Sequence, residues 1–166
     1  MDGKLMARCG VAAAALVVAL TGALAPTAVG GSGSPRTASA EVWHDIGIRC
    51  VGVEVDRCAY VQLNDTRTRI RAKGRIVDNP YGGDYTVAVN NTQLQTYVND
   101  RWVTVSGSLG SDYDGWFGVA DTAIGPAIYP VCTPRTYRSI TAFHWRGPSP
   151  GDQWLTSKII YSPCAP

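Results

Sequence analysis

The chain has 166 residues, 15 of them basic and 13 acidic, for a formal net charge of +2, and 45% of it is hydrophobic. Three of the basic residues but only one acid fall in the first forty positions, which leaves 12 of each sign in residues 41–166. That balance argues against a general nucleic-acid binder, and the length suits one domain with one core.

Residues 1–40 read as a secretory signal and spacer. Lys4 and Arg8 supply a cationic start, Val11 to Ala25 is apolar and uncharged, and Ala38-Ser39-Ala40 offers a small-x-small cleavage site. The apolar run is shorter than the ~20 residues a spanning helix needs, so no stable membrane anchor is expected. Pro26 to Ala40, rich in Gly, Ser, Pro and Ala, reads as a flexible spacer, and a cut after Ala28 is the other site on offer.

From Glu41 the hydrophobic period is two, interrupted by turn residues about every ten positions. Strands are expected over Ile46 to Val55 and Cys58 to Leu63, with Asp56-Arg57 as the turn, and over Thr66 to Val77. Tyr85 to Val89, Leu94 to Val98 and Trp102 to Ser106 follow, the last two joined at Asn99-Asp100. Trp116 to Ala120, Tyr137 to Trp145 and Trp154 to Tyr161 complete the set. No segment carries a capped helical stripe. The expected fold is all-β: a small antiparallel β-sandwich spanning 41–166, immunoglobulin-like in general architecture.

An exported chain with four cysteines after the leader predicts two disulfides among Cys50, Cys58, Cys132 and Cys164. Three pairings are open, and proximity in sequence favours Cys50–Cys58 with Cys132–Cys164. Those rings would contribute about 2.6 and 3.7 kcal/mol in the chain-entropy account. Zinc is not expected, because no Cys-x-x-Cys is present and His44 and His144 lie outside any ligand spacing.

Arg67, Arg69, Arg71, Lys73 and Arg75 occupy every second position, so a continuous strand would place all five cations on one face over roughly 27 Å. Such a stripe suits an extended polyanion, because a guanidinium fork holds phosphate or carboxylate through two bonds. A solvated face or a charged edge strand accounts for the same residues, and mutual repulsion of only about 1 kcal/mol in salt is tolerable without a ligand.

Two other surfaces point elsewhere. The segment Gly125 to Thr136 holds three prolines and Cys132, and a stiff tethered loop of that kind would present Arg135, after Pro134, to a trypsin-like protease. In format alone, a small exported β domain with two disulfides, the chain is similar to the bacterial subtilisin inhibitors; no stretch of sequence matches them. Five tryptophans and eight tyrosines raise a carbohydrate-binding surface, with Trp102 and Trp145 expected in the core and Tyr81, Tyr113 and Trp116 near loops.

Asp112-Tyr113-Asp114-Gly115 reads as a hairpin turn, since the calcium-loop spacing is wrong. Asn64-Asp65-Thr66 and Asn90-Asn91-Thr92 fit the glycosylation pattern. Ser108 lacks the nucleophile-elbow spacing, and carboxylate pairs such as Asp112 with Asp121 suit a glycosidase only at a separation that the sequence does not set. No catalytic constellation, metal or cofactor is expected. The sequence therefore predicts a secreted, non-catalytic binding protein whose partner is an anionic envelope polymer or an extracellular protein, with Arg67 to Arg75 as the site.

Overall fold

Alternation decides which way each strand faces. In β3 (Ile70–Asp78), Ile70, Ala72, Gly74 and Ile76 are buried, while Arg71, Lys73 and Arg75 are turned to the opposite side. The computed structural model describes residues 40–112, 115, 118–131 and 135–161, and among these there is no helix. Residues 1–39, expected to be leader and spacer, lie outside the described residues, as do Tyr113, Trp116, Cys132, Pro134 and Cys164, and with them the second expected disulfide.

Before β3 come β1 (Trp43–Val51) and β2 (Val55–Asn64). After it follow β4 (Thr86–Val98), β5 (Arg101–Thr104), β6 (Gly110–Ser111), β7 (Ala120–Ile124), β8 (Thr136–Arg146), β9 (Gly151–Thr156) and β10 (Ile160–Tyr161). They form two antiparallel sheets. The first runs β1-β2-β3-β7; the second runs β10-β8-β4-β5, with β6 beside β4 and β9 beside β8.

Both apolar clusters draw on both sheets. Val55, Ala59, Ile76 and Ala123 of the first pack with Val87, Val89, Phe143 and Leu155 of the second. Val61, Ile70 and Ala72 pack with Leu94 and Tyr137. Near Gly74, the fully buried Thr92 and Thr141 hydroxyls satisfy one another at 2.7 Å.

Several boundaries differ from the sequence reading, each for a local reason. The first turn is Gly52–Glu54, because Gly52 takes φ +103°, and Asp56 and Arg57 are strand residues paired with Val77 and Ile76. The alternation from Thr66 is broken at Arg67, whose φ of 56° places it in the β2–β3 turn, so the strand begins at Ile70. Tyr85 to Val89 and Leu94 to Val98 belong largely to one strand, β4, with a register shift between Val89 and Asn91. There the Asp121 carboxylate accepts the Val89 N–H at 2.6 Å. The expected strand Trp154 to Tyr161 is two, β9 and β10, and β7 starts at Ala120, the residue on which the expected Trp116 strand ends.

Asn99 and Asp100 do form the two-residue turn, both with positive φ, between the paired Val98 and Arg101. Ser108 is structural: its fully buried hydroxyl accepts the Leu94 N–H at 3.0 Å and donates to Val105 O at 2.7 Å. It thereby fills the gap in β4 pairing between β5 and β6.

Candidate functional site

The Cys50–Cys58 disulfide joins directly paired positions of β1 and β2, with Cα atoms 4.1 Å apart. Asp56 lies close to both sulfurs, but sulfurs bonded to each other are not metal ligands. Among the described residues no helix is long and apolar enough to cross a membrane.

The side of the first sheet turned from the core carries Trp43 and Asp45 from β1, Tyr60 and Gln62 from β2, and Arg71, Lys73 and Arg75 from β3. Register makes these neighbours: Asp45 is opposite Gln62, which is opposite Arg71, and Tyr60 is opposite Lys73. A polar chain crosses the three strands. Arg71 Nε donates to Gln62 Oε1 at 2.6 Å, Gln62 Nε2 donates to Asp45 Oδ1 at 2.6 Å, and Lys73 Nζ donates to Asp45 Oδ2 at 2.9 Å. Long side chains thereby close over β2, which explains why Gln62 and Tyr60 are only 5% and 7% exposed on an outward face.

Aromatic rings lie within cation–π distance of the cations. The Arg71 guanidinium lies 4.0 Å from the Trp43 ring centroid, Lys73 Nζ 4.7 Å from that of Tyr60, and Arg69 5.7 Å from that of Tyr129. Arg57 on Trp145 and Arg138 on Trp102 bring the stacks among the described residues to five, where about one per 70–80 residues is usual. The guanidiniums are therefore pre-positioned rather than freely waving. Burial lowers the Arg71 pKa from its ordinary value, and Glu41 and Asp45 oppose that shift. Burial likewise raises the Tyr60 phenol, against the hydrogen bond and charge of Arg75.

The five predicted cations are thus brought onto two kinds of structure. Arg71, Lys73 and Arg75 share the β3 face, covering about 14 Å instead of 27 Å. Arg67 sits in the turn, and Arg69 precedes the strand with its Nη1 on Glu41 at 3.1 Å. Lys73 is paired with Asp45. Arg67, Arg71 and Arg75 make no ion pair within 4.0 Å among the described residues, so the face keeps positive charge that its own acids do not neutralise.

The other candidates are dispersed. Arg135 is half-buried and lines a concavity with Tyr129 and Tyr137. Tyr81 is 78% exposed in its loop, while Trp145 and Trp102, expected in the core, are half-buried under Arg57 and Arg138. Trp154, whose exposure no local pattern signals, is 58% exposed at the β9 edge. Asp121, paired with Asp112 as a glycosidase candidate, spends its carboxylate on the Val89 and Thr122 N–H groups. His44 and His144 are hydrogen-bonded to Asp65 and Asp152, and no hydroxyl or thiol is hydrogen-bonded to either ring among the described residues. Asn64 of the first glycosylation triplet is 3% exposed, and its amide is engaged by Thr66, Thr68 and Arg69 of the turn and by Glu41 ahead of β1.

No protein-family model, curated protein or solved structure matches the chain.

Proposed function

We propose that residues 41–166 are one exported β-sandwich, immunoglobulin-like in general architecture, that binds an acidic polysaccharide of the envelope or its surroundings and acts without turnover. Export is supported by the leader sequence and by a disulfide of the kind an oxidising compartment allows. The observation that carries the ligand class is the pairing of Arg71, which makes no carboxylate ion pair among the described residues, with Trp43 on the face that also holds Arg75. A guanidinium laid on a ring keeps its outer N–H groups for carboxylate or sulfate, and its ordering cost is met before binding. The exposed Tyr129 ring beside Arg69 adds an apolar platform for a sugar face.

The test is binding to polygalacturonate with dextran as the uncharged control. Salt-sensitive binding to the acidic polymer alone is expected. Equal binding to both polymers, or binding indifferent to salt, overturns the reading.

A further inference from the structure

At the end of the sheets where β1 turns into β2, two opposite charges line one concavity without meeting. The space, ≈ 360 Å³, is bounded by Gly52, Val53, Glu54, Arg57, Tyr85 and Trp145. Arg57 lies opposite Val51, and its guanidinium carbon sits 4.4 Å from the centroid of the Trp145 ring. Trp145 is itself fixed, its Nε1 donating to Ser149 O at 2.9 Å. Arg57 Nε donates to Val51 O at 3.4 Å, and a Cβ on Gly52 would fall 2.6 Å from Nη2, so the turn closes tightly over the guanidinium.

On the other wall, Glu54 Oε2 accepts the Tyr85 hydroxyl at 2.6 Å, and its Oε1 has no hydrogen-bond partner among the described residues. Neither Arg57 nor Glu54 makes an ion pair within 4.0 Å among those residues. Burial lowers the Arg57 pKa, with Asp56 opposing, as fits a cation drawn out of water with no adjacent counter-charge in contact. Each charge is anchored separately, Arg57 by the ring and Glu54 by the phenol, and so they are kept from collapsing onto one another. Val53, Val55 and Trp145 add apolar surface to the lining of the same concavity.

From this we infer that the concavity binds a small zwitterion of the amino-acid class, its carboxylate on Arg57, its ammonium on Glu54, and its side chain against Trp145 and Val53. The volume lies at the small end of ligand sites, which favours a single amino acid over a longer peptide. The site is separate from the β3 face, and its failure would leave the polysaccharide reading untouched.

The experiment uses the full chain labelled with ¹⁵N and follows the Trp145 indole N–H, assigned by its loss in Trp145→Phe. L-Leucine should shift that resonance saturably, while N-acetyl-leucine and leucinamide, each lacking one charge, should bind at least about tenfold more weakly. Arg57→Gln should remove the preference for the free carboxylate, and Glu54→Gln the preference for the free amine. Glu54 is exposed, so its variant serves if Arg57→Gln does not fold. No saturable shift by about 20 mM leucine, or equal binding of the three probes, overturns the inference.

Discussion

Gly74 of β3 lies so close to Thr141 of β8 that a Cβ at position 74 would stand 2.3 Å from Thr141 Cγ2 and 3.1 Å from Val89 Cγ1. Thr141 is held by its bond to Thr92 and, being β-branched, has no easy rotamer to retreat into. Gly74→Ala should therefore destabilise the fold by about 1–3 kcal/mol, although alanine is the better strand residue elsewhere. Urea unfolding measures it; an unchanged or higher midpoint would show that the sheets are not so closely apposed here.

Asn64 organises the β2–β3 turn that sends Arg67 off the strand. Its Oδ1 accepts the Thr68 and Arg69 N–H groups, each at 2.9 Å, and its Nδ2 donates to Thr66 Oγ1 at 2.8 Å and Glu41 Oε1 at 2.7 Å. Asn64→Ala should cost about 2–3 kcal/mol, as several partners are stripped of their bonds together. Because that amide is already engaged, material secreted from a glycosylating host should show no glycan at Asn64 by peptide mass mapping.

Reduction of Cys50–Cys58 should lower stability by about 2.6 kcal/mol if the ring running from Cys50 to Cys58 inclusive sets the loop entropy. The paired variant Cys50→Ala, Cys58→Ala should reproduce the effect, since the two sulfurs act there as a covalent link. Denaturant curves with and without reductant give the comparison, and stability indifferent to both would mean that the strand pairing alone fixes this end of the sheet.

How much of the fold and site is legible in the sequence depends on the range of the interaction. β3 shows its buried and exposed faces directly, because alternation is a local signal, and the Asn99-Asp100 turn is visible because those residues tolerate positive φ. The short Cys50–Cys58 spacing likewise points to its pairing. Arg67 is misplaced by periodicity because the same alternation continues through a turn that Asn64 imposes from its side chain, which no periodicity records. The Arg71–Trp43 and Arg57–Trp145 stacks join residues from different strands, so they are invisible until register is known. Asp121 and Ser108 resemble chemistry for the same reason: their backbone partners at Val89 and Leu94 are remote in sequence.

Alkaline pH should weaken the fold. The hydrogen bond to Glu54, followed by burial, raises the Tyr85 phenol, and burial raises Tyr60. A phenol whose pKa is higher in the folded state favours the folded state while protonated. That contribution is complete below the unfolded value of about 10 and disappears as pH climbs through the higher folded value. Stability measured by urea from about pH 8 to 11 should fall beyond 10, and the fall should be shallower in Tyr60→Phe, Tyr85→Phe. An identical slope in that variant would mean that other groups carry the alkaline effect.

The β3 face makes the sharpest functional prediction, because its cations differ in what already neutralises them. Lys73 is paired with Asp45 and Arg69 with Glu41, whereas Arg71 and Arg75 have no carboxylate within ion-pair distance among the described residues. Arg71→Gln with Arg75→Gln should therefore cost more polygalacturonate affinity than Arg69→Gln with Lys73→Gln, although both remove two charges. In counterion-release terms the slope of log affinity against log salt should fall by up to about 0.9 for each cation that no longer meets the polymer. Arg138→Gln, on the other sheet, should leave affinity unchanged and so separates a local effect from a change of overall charge. If all three variants weaken binding in proportion to charge alone, the attraction is diffuse and the β3 face is not the site; if only the Arg71 and Arg75 pair does so, geometry and not net charge selects the ligand.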